Sequence, residues 1–171
     1  MTILDCLESK DETLKRETLE LLFKMTNIQN VNTIVTKLIL FLKSAIDGGF
    51  RKNLVNKICQ LSERFAPDKE WFLRTMNFVF EYGSEFVDNT LLNNYLKLLN
   101  ENYILEGEVF GVLIINQYLE TLAKPHLSDI TTKMISWVMG EIGCSIYQNN
   151  PDMLRKLTEI LLTTITNEFE D

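Results

Sequence analysis

Glycine and proline are scarce in this chain, seven and three of 171 residues. Few positions can therefore interrupt a regular segment, which favours long helices. The three cysteines, Cys6, Cys59 and Cys144, lie far apart and form no C-x-x-C pair. An odd count without framework spacing argues against a disulfide scaffold and against a zinc site. Each has apolar neighbours in the chain, so all three are expected as buried thiols in a reducing compartment. There is one histidine, His126, beside Pro125. Alone it cannot build a multi-histidine metal site, and no serine or cysteine partner stands near it, so it reads as a solvated loop residue. No G-x-G-x-x-G or G-x-x-x-x-G-K-[ST] phosphate loop occurs. Cationic charge is also short: 17 Lys and Arg against 24 Asp and Glu give a net charge of −7. That balance lacks the basic footprint of a nucleic-acid binder and gives no direct attraction to an anionic membrane. The longest apolar run, around Val112–Ile115, is far short of a membrane span. The opening MTILDCLESKDE turns acidic too soon for a signal peptide. Catalytic, cofactor-binding and metal-ligating residues are accordingly assigned to none, and no cofactor is expected.

What the chain does have is helical periodicity. Apolar residues recur every three or four positions almost throughout, with little two-residue alternation. The pattern predicts helices near 2–8, 11–26, 31–45, 50–65, 68–83, 88–101, 107–124, 128–148 and 151–170, the first a fragment. Asp11, Asp68, Asp88, Ser128 and Asn150 stand where N-caps belong, with Pro151 at a first helical position. Asp47-Gly48-Gly49 is expected to end the third helix, with glycine at the positive φ past a helix end. Gly83 and Pro125 are expected to close two others.

The apolar stripes follow from the spacing. They are Leu14, Leu21, Leu22 and Met25; then Val31, Ile34, Val35, Leu38, Ile39 and Leu42; then Leu54, Ile58, Leu61 and Phe65. Further along come Phe72, Met76, Val79 and Phe80, followed by Leu92, Tyr95, Leu96 and Leu99. The segment Val109–Ile115 is apolar nearly all round, as for a helix packed on several sides. Ile130, Met134, Trp137 and Val138 follow, and the last stripe is Met153, Leu154, Leu157, Ile160, Leu161 and Ile165. Gly140 and Gly143 fall mid-helix, where glycine costs about 1 kcal/mol relative to alanine; close approach of a neighbouring helix is the expected reason. Trp71 and Trp137 are expected in the core, with partner-anchor residues as the rival reading.

Helices of this length on short loops should lie antiparallel to their neighbours. Pairs begin near residues 11, 50, 88 and 128, the length scale of HEAT and armadillo repeats. The expectation is one all-α domain over 1–171, a right-handed α-solenoid of HEAT/armadillo-like hairpins, with a four-helix-bundle assembly as the lesser alternative. A partial first helix and an apolar last one, without polar capping repeats, point to a piece of a longer array. Charge lies mostly on helix surfaces: Glu12, Glu17 and Glu20 read as a solvated face, and Lys15, Arg16 and Lys24 as a small basic patch diluted by acidic neighbours.

Three blocks carry a family resemblance. CLESKDETLKRETLELLFKMTNIQNVNTIV (residues 6–35) resembles the trunk of the large adaptins, with a cysteine-leucine helix end, an acidic turn, a "KR" pair, a leucine-rich helix and "TN-x-QNV" in that order. LVNKICQLSERFAPDKEWFLRTMNFVF (residues 54–80) is similar to the adaptin segment "APD-x-x-WF-x-x-TMN-x-VF", and ISWVMGEIG (residues 135–143) to "SWVLGEY". "RETLELL" (Arg16–Leu22) and "TMN-x-VF" (Thr75–Phe80) resemble the epsilon branch, that of the fourth adaptor complex, while Asn100–Gly111 departs from the family pattern. The resemblance implies a non-enzymatic scaffold subunit of a heterotetrameric adaptor complex in vesicle-mediated intracellular protein transport. Its implied partners are a second large, a medium and a small subunit, with an Arf-type GTPase reached through the complete trunk and no nucleic acid. It implies a cytoplasmic coat component, peripheral to trans-Golgi or endosomal membranes. It carries over no binding residue. The alternative is a generic helical-repeat docking module, karyopherin-like or regulatory.

Overall fold

The computed structural model describes residues 6, 7, 9, 11–122, 127–148 and 151–168. Helix is the only regular structure among them. The order is α1 (Glu12–Met25), α2 (Val31–Ser44), α3 (Gly48–Phe65), α4 (Lys69–Gly83), a 3-10 turn (Ser84–Phe86), α5 (Asn89–Glu106) and α6 (Glu108–Leu122). Then come α7 (Asp129–Val138), a π-helical turn (Met139–Gly143), α8 (Cys144–Tyr147) and α9 (Pro151–Glu168). The helices gather into two compact units, Met1–Phe86 and Val87–Asp171. The segment expected as a helix over 2–8 falls mostly outside the described residues, as do Pro125, His126 and Asn150.

Short polar side chains start the helices by accepting backbone N–H groups that have no partner inside the first turn. Asp11 accepts from Thr13 and Leu14, Asp47 from Phe50, Asp68 from Trp71, Asp88 from Leu91 and Ser128 from Thr131. Each such cap stabilises its helix by about 1 kcal/mol. Asp47-Gly48-Gly49 therefore opens α3 rather than closing α2. Both glycines are helical, and the only positive φ among the described residues is 73° at Gly107. Gly107 ends α5, its N–H bonded to Tyr103 O, and α5 reaches Glu106 rather than stopping near 101.

In the first unit the core is α2, α3 and α4. All six stripe residues of α2 are buried, and so are Leu54, Ile58 and Leu61 of α3, with Phe65 half-buried. Phe72, Met76, Val79 and Phe80 of α4 join them. The stripe expected on α1 is displaced: Thr18, Leu19 and Leu22 face inward, while Leu14, Leu21 and Met25 are 40, 45 and 49% exposed. The Thr18 hydroxyl donates to Leu14 O, which makes its burial inexpensive.

Alternate helices in this unit run parallel. Lys15 of α1 lies over the Phe50 ring near the start of α3, and Lys57, later in α3, pairs with Glu20, later in α1. Likewise Trp71 near the start of α4 bonds Asn32 near the start of α2, and Lys43 near the end of α2 lies over Tyr82 near the end of α4. The Glu20–Lys57 and Asn32–Trp71 partners are 37 and 39 residues apart, the step of one helical hairpin.

The second unit centres on α5, α6 and the α7–π–α8 rod. Leu92, Tyr95, Leu96 and Leu99 are buried with Phe110, Ile114, Ile115 and Tyr118. Val109 departs from the all-round burial expected of α6 and is 84% exposed. Met134 and Val138 are buried, whereas Ile130 and Trp137 are half-buried. At Gly143 a Cβ would stand 3.4 Å from Leu157 Cδ1 and 3.8 Å from Ile115 Cδ1, ordinary contact distances, so the expected close approach is present there without demanding glycine. Close approach does not explain Gly140, which faces open space inside the π turn. On α9, Leu157 is buried while Ile160 and Leu162 are 39 and 60% exposed.

Candidate interaction surfaces

Ionic contacts join helices at the surface of the first unit. Lys57 Nζ sits 3.0 Å from Glu20 Oε2 and 3.9 Å from the Phe23 ring centre, clamping α3 to α1. Arg51 reaches Glu85, donates to Tyr82 O at 2.6 Å and lies over the Phe86 ring, so one guanidinium fastens the end of α4 and the 3-10 turn to α3. Within the small basic patch, Lys15 is paired with Glu12 at 2.8 Å and Arg16 approaches Asp47 at 4.0 Å. Glu12 and Glu20 thus serve as ion-pair partners, and exposed pairs of this kind are worth about 1 kcal/mol or less.

Between α2 and α4 lies an open groove of about 440 Å³. Asn32, Val35, Thr36, Ile39, Leu40 and Lys43 line it from α2, and Trp71, Arg74, Thr75 and Phe78 from α4. Trp71 is 9% exposed, and its Nε1 donates to Asn32 Oδ1 at 2.9 Å, which fixes the floor at one end. At the other end Phe78 and Tyr82 stack, with Lys43 Nζ 5.2 and 4.0 Å from their ring centres. Leu40 and Phe78 are 51 and 39% exposed along the rim. The rival readings of Trp71 meet here, since it is a core residue whose ring also lines a surface groove. A second hollow of about 540 Å³ is lined by residues of α1, α2, the α2–α3 turn and α3, among them Lys15, Phe41, Ile46 and Phe50.

The described residues contain no group of three or more His, Cys, Asp or Glu placed to hold a metal ion. None of their helices is long and apolar enough to cross a membrane. Cys59 is buried as expected, and burial, with Glu63 nearby, pushes its thiol up to about 12. Cys144 is exposed and Cys6 half-buried, contrary to the expectation of three buried thiols. The Cys144 sulfur follows the π turn, which rotates the rod away from the register that its apolar neighbours suggest.

The chain is similar to large subunits of adaptor complexes. It is 35% identical over 167 residues to the human AP-4 complex subunit epsilon-1, covering 95% of this chain and 15% of that protein. To the AP-4 complex subunit epsilon of Arabidopsis thaliana it is 34% identical over 147 residues, 84% of this chain and 16% of that protein. To the AP-1 complex subunit gamma-1 of Mycosarcoma maydis it is 28% identical over 146 residues. The chain thus spans about 15% of the length of the curated relatives it matches. The family model of the adaptin N terminal region, a helical solenoid domain, matches residues 1–168, and the chain belongs to that family.

Proposed function

We propose that this chain is a scaffold segment of a large adaptor-complex subunit of the epsilon class, acting in vesicle-mediated intracellular protein transport. The observation that carries the reading is the family match over residues 1–168 together with epsilon relatives at 34–35% identity. The geometry supports it. Hairpins stacked at a step of 37–39 residues present rows of parallel helices, and such surfaces grip other polypeptides through shape and side-chain chemistry. Its work is non-enzymatic. In the complete protein the trunk joins a second large, a medium and a small subunit, and an Arf-type GTPase recruits the assembly to the cytoplasmic face of trans-Golgi or endosomal membranes. Membrane contact is peripheral and made by the complex.

Affinity capture of the tagged full-length protein from its own cells tests this. The other large subunit, the medium and the small subunit should be recovered together. Recovery of a nuclear transport receptor or a kinase in their place would reject the reading.

A further inference from the structure

We propose that the α2–α4 groove docks an acidic amphipathic helix of another polypeptide. The inference rests on the reading of the chain as a docking scaffold and adds the site and the chemistry of a guest. Four properties of the groove carry it. The charged side chains that line it are Lys43 and Arg74, both cationic, in a chain of net charge −7. Helix α2 itself carries two lysines and no carboxylate. Two acids of α4 flank the groove: Glu81, one turn past Phe78, and Glu70, one turn before Arg74 and 3.8 Å from it, with the Glu70 and Arg74 side chains both more than half exposed. The Glu70–Arg74 pair is weak and leaves the guanidinium able to take a second carboxylate.

Between the cations the surface is apolar and aromatic: Leu40 and Phe78 stand half in solvent above Ile39 and Trp71. Buried aromatic floors with exposed apolar rims concentrate binding energy, and flanking charges set orientation and exclude like-charged guests. The groove is also preformed. The Trp71–Asn32 hydrogen bond and the Lys43–Tyr82 contact hold the two helices at both ends, so a guest has little ordering to impose. From Trp71 to Phe78 the wall rises about 10 Å at helical pitch. That accommodates about two turns of a guest helix lying in the groove with anchors at three- and four-residue spacing.

The test uses the full chain and a dye-labelled model helix with leucine at three- and four-residue spacing and glutamate on its flanks, read by fluorescence anisotropy. A second helix carries lysine in place of glutamate. The acidic helix should bind and the lysine helix should not. Phe78→Ala, and Lys43→Glu combined with Arg74→Glu, should each weaken the acidic helix by about tenfold or more. Lys43 and Phe78 also contact Tyr82, so a modest loss of stability is expected. Binding is therefore compared well below the melting temperature of each variant, where Arg74→Glu alone, which breaks no contact between helices, should still weaken the acidic helix. In a Trp137→Phe background Trp71 is the sole tryptophan, and its emission should shift when the acidic helix is added.

Equal binding of both helices, no effect of charge reversal, or an unmoved Trp71 emission would each overturn the proposal. So would displacement of the acidic helix by excess inorganic phosphate at constant ionic strength, which would mark an anion site. If no helix binds while adaptor subunits are still captured, the groove assignment falls and the scaffold reading stands. If the adaptor subunits are not captured, the scaffold reading fails by its own experiment.

Discussion

The hydroxyl oxygens of Tyr95 on α5 and Tyr118 on α6 lie 2.6 Å apart, with both side chains essentially inaccessible to solvent. Either hydroxyl can donate to the other, and the bond satisfies polar atoms that the second unit has otherwise enclosed in hydrocarbon. Tyr118→Phe or Tyr95→Phe alone should destabilise by about 1–3 kcal/mol, because each leaves a buried hydroxyl with one partner fewer. The double variant should cost less than the sum of the two. A double-mutant cycle in urea checks this, and strict additivity would show that the two hydroxyls act independently.

Burial pushes both phenols up, and it pushes Cys59 up to about 12 from an ordinary thiol value of 9.0. The sign follows from proton counting. Above the ordinary thiol and phenol values the unfolded chain releases these protons while the folded chain keeps them, so stability falls as pH rises. For Cys59 the contribution is complete below about pH 9 and is lost progressively up to about 12. Urea midpoints should therefore decline on the alkaline side, each group adding a slope that approaches about 1.4 kcal/mol per pH unit. Cys59→Ala should make the decline shallower.

The two faces of α1 give a paired prediction. Leu22→Ala removes a buried side chain and should cost about 2–5 kcal/mol, while its neighbour Leu21 is 45% exposed and its replacement should cost about 0.5 kcal/mol or less. Ile58→Ala, at a fully buried site of α3, should fall with the first of these. Equal costs at Leu21 and Leu22 would mean that the helix is turned toward the stripe read from spacing alone.

Glycines separate into those that are packed and those that are not. A Cβ at Gly83 would stand 2.5 Å from Val55 Cγ2 and 3.4 Å from Leu42 Cδ2. Valine is stiff at χ1 and this one is fully buried, so Gly83→Ala should destabilise by about 1–3 kcal/mol despite the better helix former. Gly140 meets nothing, and Gly140→Ala should be neutral or stabilising by up to about 1 kcal/mol. Thermal melts of the two variants should move in different directions or by clearly different amounts.

Much of the architecture is legible in the residues. On α2, α4 and α5 the apolar periodicity is strong and the buried faces are those that the spacing names. On α1 six apolar side chains compete for one face. The inward face is built around Thr18, a polar residue that satisfies itself on Leu14 O and so leaves no hydrophobic mark. Gly48-Gly49 reads as a stop because glycine punctuates helices, yet the Asp47 carboxylate accepting the Phe50 N–H makes the same triplet a start. The π turn at Met139–Gly143 has no composition of its own and shows only through the register of Cys144 and Trp137. The α2–α4 groove is least legible of all, since its walls lie 39 residues apart at Asn32 and Trp71 and meet only once hairpins stack.

The proposed scaffold role requires the full-length protein to hold the other adaptor subunits in one defined assembly. Co-expression of the full-length protein with the second large, the medium and the small subunit, followed by native mass determination, tests that requirement. A single species containing one copy of each is predicted. A full-length protein that stays alone, with the other three assembling without it, would rule that role out.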